Sequence, residues 1–162
     1  MKALLLALAL TVSLTTAADR PNIVVILSDD YGWGSVGCYG ANPDLVSTPN
    51  LDRLAKEGRR FTDALTTSSV CSPTRYSMMT GRYCWRTSLI SEVLGTTAPL
   101  HIETTRLTMA SLLKRHGYQS AAIGKWHLGY GTADGTPGWR TDYTAELSPG
   151  PLDLGFTYHF GV

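Results

Sequence analysis

The sequence has 162 residues, of which 43% are hydrophobic and 17% are charged, and its formal net charge is +1. That length is typical of one ordinary domain, and the hydrophobic fraction argues against a disordered chain. A net charge so close to zero gives no reason to expect nucleic acid or an anionic membrane surface as a partner.

The first 18 residues have the pattern of a secretory signal peptide. Lys2 precedes an apolar run over residues 3–10, and small residues end at Ala17 and Ala18. This order of a positive start, an apolar centre and a small-residue end is typical of a cleaved signal. The run is too short to span a bilayer. We therefore expect an exported protein, periplasmic or secreted, with no stable membrane insertion.

A buried strand is predicted over residues 23–27, where five apolar residues follow one another and most are β-branched. Asp29 and Asp30 follow at its carboxyl end, which is the edge where open α/β sheets bind ligands. Adjacent carboxylates suit Ca²⁺ or Mg²⁺, which prefer oxygen ligands. An acidic pair that only caps a loop is the alternative interpretation.

The next predicted element is a helix that opens at Thr48-Pro49 and stops at Gly58. Its leucines are expected to pack on the sheet, and its charged residues, Asp52 among them, to face solvent. An extended segment over residues 60–65 then leads to a second helix.

That second helix begins at the motif Cys71-Ser72-Pro73-Thr74-Arg75 and ends at Gly81. Pro73 suits the first turn, and glycine is preferred just past a helix end. The helix dipole would favour negative charge near Cys71, and Arg75 lies one turn further on. The pattern predicts an anion site around one cysteine. A buried cysteine beside a solvated arginine is the alternative.

The remaining pattern predicts an irregular excursion over residues 83–102, a helix over 104–116 and a strand over 118–123. Lys125 and His127 follow that strand at its carboxyl end; in isolation, a surface lysine and a core histidine would be the simpler interpretation. The alternation of strands and helices indicates a layered α/β fold with a mainly parallel sheet.

Three cysteines are present, and Cys38 and Cys84 could form a disulfide or remain as two buried thiols. An aromatic run lies over residues 154–161, and His159 within it is expected to have a packing role. A redox-active dithiol is disfavoured, because the sequence has no Cys-x-x-Cys pair.

Three segments together resemble the type I sulfatase family, the formylglycine-dependent, cysteine-type branch of the alkaline-phosphatase-like superfamily. They are residues 21–30, the Cys71 motif with Gly81-Arg82, and residues 124–129. The resemblance implies an alkaline-phosphatase/sulfatase-like layered α/β fold, with a mainly parallel central sheet flanked by helices. It also implies that residues 21–162 are the N-terminal portion of a sulfatase catalytic domain, truncated and incomplete. On that basis we expect no turnover by this 162-residue chain alone.

By the same resemblance, a separate maturation enzyme oxidises Cys71 to formylglycine, whose hydrated gem-diol attacks the sulfur of a sulfate ester. Asp29, Asp30 and an oxygen of the modified Cys71 would bind Ca²⁺, with Mg²⁺ as the alternative. Arg75 would hold the diol, Lys125 would contact the diol and a sulfate oxygen, and His127 would be the base that releases sulfate.

The implied substrates are sulfate esters, and sulfated carbohydrates are one candidate class. Two other functions stay open. The chain could belong to a phosphonate or phosphodiester hydrolase of the same superfamily, or it could be a non-catalytic remnant that binds sulfated glycans.

Overall fold

The computed structural model describes residues 20–133 and 140–161. The chain divides into two compact units, Met1–Gly32 and Trp33–Val162. The predicted signal peptide, residues 1–18, lies outside the described residues. No helix in the described part of the chain is both long and apolar enough to cross a membrane.

In the first unit, residues 20–32 contain no helix or strand, so the predicted strand over 23–27 is wrong. Its side chains are exposed: Val24 is 80% and Ile26 85% accessible. A strand is defined by hydrogen bonds to a neighbouring strand. The sheet among the described residues contains only two strands, both in the second unit, and residues 23–27 have no place in it.

The second unit begins with two 3-10 turns, Trp33–Ser35 and Gly37–Tyr39, followed by helix α1, Pro49–Glu57. The predicted start at Thr48 and stop at Gly58 are confirmed. The predicted packing is wrong, because α1 has no buried residue and lies against the Gly37–Tyr39 turn. Asp52 is not simply solvated either: its Oδ1 accepts a 2.6 Å hydrogen bond from the Cys38 backbone N–H and so ties the turn to the helix.

Helix α2 spans Cys71–Thr80, and Gly81 ends it in a left-handed conformation with φ of 67°. Both ends agree with the prediction. A left-handed residue directly after a helix satisfies the last carbonyl groups, and glycine adopts it without steric cost. Here the Gly81 backbone N–H donates to the Ser77 carbonyl at 2.8 Å.

Helix α3, Met109–Arg115, is shorter than the predicted 104–116. Thr108 and Ser111 form a capping box, which fixes the first helical residue at Met109. Residues before it turn instead, and Glu103 and Arg106 form an ion pair there at 2.6 Å. Gly117 follows the helix in the left-handed region with φ of 79°, consistent with its predicted role as the stop.

The sheet consists of strand β1, Ala121–Ile123, and strand β2, Tyr158–Phe160, which pair in parallel. In their register Ala121 lies opposite Tyr158 and Ile123 opposite Phe160. Strand β1 lies inside the predicted 118–123 segment, whereas β2 comes from the aromatic run that was not predicted to be a strand. The parallel pairing is as predicted.

One hydrophobic core lies between α2, α3 and the segment that follows β1. Its central residues include Tyr76 and Met79 of α2, Ala110 of α3, and Trp126 and Leu128 after β1. Cys84 is buried in the same core, and both Cys84 and Cys38 are free thiols, so the disulfide alternative is wrong. Through this core, the buried side of α2 packs against the segment that carries Lys125 and His127.

Candidate active site around Cys71

Cys71 is the first residue of α2, and the extended Val70 precedes it as the N-cap. Its side chain is half-buried, while Ser72 and Pro73 directly after it are buried. Backbone N–H groups of a first helical turn have no intrahelical acceptor and attract negative charge. The predicted position of Cys71 at a helix entrance is therefore confirmed.

Lys125 lies beside Cys71, although 54 residues separate them in the sequence. The Lys125 Nζ is 3.2 Å from the Cys71 Sγ. Arg75 reaches the same segment, because its Nη1 donates a 2.5 Å hydrogen bond to the Lys125 carbonyl oxygen. Three of the predicted site residues thus meet at the start of α2, where two cationic side chains and a helix N-terminus combine.

The segment after β1 presents its residues alternately to the core and away from it. Trp126 and Leu128 are buried, whereas Lys125 is exposed and His127 half-buried. The Trp126 indole N–H donates to the Gly129 carbonyl at 2.9 Å, and its ring packs edge-on against Phe156. Burying the alternate residues therefore holds Lys125 and His127 on the face opposite the core.

His127 has a left-handed backbone with φ of 53°. Among the described residues, only one other non-glycine residue, Asp30 with φ of 52°, has a positive φ. Such conformations are uncommon outside glycine, although Asp and His tolerate them better than most, and they concentrate at functional sites. Both residues were singled out from the sequence as site candidates.

The ring of His127 contacts the chain at Leu94, where its Nε2 lies 2.9 Å from the carbonyl oxygen. The Leu94 backbone N–H in turn donates to the Ser72 Oγ at 3.1 Å. His127 is thereby connected to the first turn of α2, next to Cys71. Sequence reasoning missed Ser72 and Leu94: the only available signal was that Ser72 lies inside the cysteine motif.

A cavity of about 710 Å³ adjoins this segment. Lys125, His127, Tyr130 and Tyr143 contribute its large side chains. Burial raises the pKa of Tyr130 to about 12. The Tyr130 hydroxyl is buried and has no hydrogen-bond partner among the described residues.

Asp29 and Asp30 lie in the first unit, and both are exposed. Their predicted convergence with Cys71 stays a prediction. Among residues 20–133 and 140–161, no group of three or more His, Cys, Asp or Glu residues could hold a metal ion. The two carboxylates have the hard oxygen chemistry that Ca²⁺ or Mg²⁺ requires, but they supply fewer than the roughly six to eight oxygens that Ca²⁺ takes. The donor type fits the predicted cation, and further ligands would be needed.

Comparison with known proteins shows which family this chain resembles. The family model for sulfatases matches residues 21–160. N-acetylgalactosamine-6-O-sulfatase of Bacteroides thetaiotaomicron is 41% identical over 145 residues, which are 90% of this chain and 27% of that protein. Human steryl-sulfatase is 40% identical over 151 residues, covering 90% of this chain and 24% of the relative.

A solved structure from work on the metabolism of multiple glycosaminoglycans by Bacteroides thetaiotaomicron superposes with a TM-score of 0.79 at 40% identity. The match covers 88% of this chain and 28% of that one. The chain belongs to the sulfatase family, and it has part of the alkaline-phosphatase-like α/β fold. It spans about a quarter of the length of these relatives.

Proposed function

We propose that the protein containing this chain is a sulfuric ester hydrolase whose nucleophile is made from Cys71. The observation that carries the proposal is the contact of 3.2 Å between Cys71 Sγ and Lys125 Nζ at the entrance of α2. Membership in the sulfatase family supports the reaction class. The proposed nucleophile is formylglycine, which a separate maturation enzyme would produce from Cys71.

In its hydrated form, formylglycine supplies one hydroxyl that attacks sulfur, so that the bond from sulfur to the ester oxygen breaks and the alcohol leaves. The second hydroxyl then loses its proton, the C–O bond to sulfate breaks, and sulfate departs as the aldehyde is restored. Lys125 would place its positive charge beside the group being transferred, where the helix N-terminus also favours an anion. Arg75 holds the Lys125 backbone in place through its 2.5 Å hydrogen bond. In this proposal, His127 accepts the proton from the second hydroxyl.

Asp29 and Asp30 would hold the divalent cation, Ca²⁺ or Mg²⁺. Such a cation neutralises charge on sulfate oxygens when it is bound. The substrates we favour are sulfated carbohydrates, because a bacterial relative that is 41% identical is an N-acetylgalactosamine-6-O-sulfatase. Export through the signal peptide at residues 1–18 belongs to the same proposal.

The first experiment is mass spectrometry of the tryptic peptide over residues 61–75, taken from the protein purified from its own host. We expect Cys71 to carry the aldehyde in place of the thiol. The same preparation should release sulfate from sulfate esters faster than phosphate from matched phosphate esters. An unmodified thiol in a host with an active maturation enzyme would contradict the proposal and favour a non-catalytic glycan-binding protein. Faster phosphate release would favour the phosphohydrolase alternative.

Replacing Lys125 with alanine is expected to lower kcat for a sulfate ester by about 100- to 1,000-fold, because a positive charge aimed at the transferred group is lost. The matched control is Lys114→Ala on α3, whose lysine is exposed. The measurement is kcat for a sulfate ester, determined by steady-state kinetics for both variants. A Lys125→Ala enzyme with kcat close to that of the Lys114→Ala control would show that Lys125 only packs beside Cys71.

A further inference from the structure

The contact between His127 and Leu94 determines which ring nitrogen carries the proton. A carbonyl oxygen can only accept a hydrogen bond, so the His127 Nε2, 2.9 Å from the Leu94 oxygen, must carry hydrogen. A neutral imidazole has a single N–H group. The Nδ1 of neutral His127 is therefore an acceptor with a free electron pair. It is buried, and the described residues offer it no hydrogen-bond partner.

The backbone of His127 is fixed on both sides. Trp126 and Leu128 are 6% and 0% exposed, so the flanking side chains are held in the core. What remains free is rotation of the His127 ring about its side-chain bonds. The hydrogen bond to Leu94 removes that freedom, provided that Leu94 is itself held in place.

Ser72 holds Leu94. Its side chain is 0% exposed, and its Oγ accepts the Leu94 N–H at 3.1 Å. Because Ser72 lies in the first turn of α2 between Cys71 and the buried Pro73, it can shift little. Residue 94 lies in a stretch that contains no helix or strand, so this hydrogen bond ties an irregular segment to a rigid helix.

We propose that Ser72 is a positioning residue for His127, acting through the backbone of Leu94. The connection keeps the ring in the Nε2–H tautomer and leaves Nδ1 as the proton acceptor. For metal-bound histidines, removal of the group that orients the ring through its second nitrogen typically costs about 10- to 100-fold in metal affinity or activity, and we expect an effect of that order for His127. The inference rests on the proposed function for its catalytic consequence, but the tautomer itself does not depend on that function.

Ser72→Ala tests the inference, because it removes the acceptor of the Leu94 N–H and leaves the Cys71-x-Pro73-x-Arg75 motif intact. We expect kcat for a sulfate ester to fall about 10- to 100-fold while KM changes much less. The matched control is Ser77→Ala: Ser77 is also buried in α2, and its Oγ has no hydrogen-bond partner among the described residues. Peptide 61–75 from each variant should show the same modification of Cys71 as the wild type.

Two readouts separate positioning from a general structural effect. In the protein labelled with ¹⁵N-histidine, the wild-type His127 ring should show the Nε2–H tautomer, and Ser72→Ala should shift it towards the other tautomer or an average of both. In a double-mutant cycle, Ser72→Ala should have no further effect on kcat once His127 is alanine.

An unchanged His127 tautomer in Ser72→Ala would overturn the inference. So would a double variant in which Ser72→Ala lowers kcat by the same factor whether or not His127 is present. A wild-type protein that releases no sulfate would instead contradict the proposed function. In that case the NMR comparison would still decide whether Ser72 sets the tautomer of His127.

Discussion

Replacing Cys71 with alanine should abolish sulfate release, lowering kcat by about 10⁴-fold or more, since loss of a nucleophile removes the covalent route entirely. Neither of the other two cysteines in this sequence is placed to substitute, because Cys84 is buried in the core and Cys38 lies on the separate Gly37–Tyr39 turn. The assay is steady-state release of sulfate by the protein from its own host. Cys38→Ala, which removes another free thiol, is the matched control and should keep full activity.

A serine at position 71 gives a sharper result than alanine. Its hydroxyl could take up sulfate at the same place beside Lys125, but the resulting ester has no second hydroxyl to drive its breakdown. Cys71→Ser should therefore make at most one turnover and retain sulfate on peptide 61–75, which mass spectrometry detects. Sustained turnover by either variant would show that the reaction does not pass through residue 71.

Replacing Trp126 with alanine should lower the free energy of unfolding by about 3–5 kcal/mol, the range for deleting a large buried aromatic side chain. The ring packs edge-on against Phe156 and His159, and its N–H is hydrogen bonded to Gly129. The measurement is chemical denaturation followed by fluorescence or circular dichroism.

Trp85→Ala is the matched control for Trp126, because Trp85 is 54% exposed and stacks on Tyr83 at the surface. Its cost should stay below about 1 kcal/mol. Equal costs for the two tryptophans would mean that the core around Trp126 does not hold the site segment in place. Since Trp126 lies between Lys125 and His127, we also expect its variant to lose activity at temperatures where it remains folded.

Local sequence chemistry was sufficient to predict α2. The positions of Cys71, Pro73 and Gly81 all depend on backbone geometry within a few residues, and each lies where the sequence indicated. The start of α3 was misjudged because Thr108 and Ser111 form a capping box that is not of the usual Ser/Thr-x-x-Glu type. Strand β2 was missed because its three residues are stabilised by pairing with β1, a contact that has no local signature.

The types of residue in the site could be predicted, but most of their contacts could not. The contact between Lys125 and Cys71 spans 54 residues and depends on how the core places α2 against the segment after β1. Leu94 contributes only its backbone N–H and carbonyl groups, which almost any residue would supply, so the leucine side chain does not indicate this role in the sequence. The strand expected over residues 23–27 is an element that the sequence predicts and the structure does not contain. An apolar run forms a buried strand only where a neighbouring element covers it.

The left-handed backbone of His127 has a consequence for its proposed role as a base. A base that had to rotate into place would add a reorganisation step to every turnover and lower the fraction of productive encounters. In this chain the buried residues on both sides of His127 set the orientation of its backbone. The free-energy cost of its unfavourable φ is offset by the rest of the fold, so it does not recur in each cycle. In the proposed mechanism His127 is in this sense pre-organised, so the transfer of a proton to it would require no rearrangement of the backbone around it.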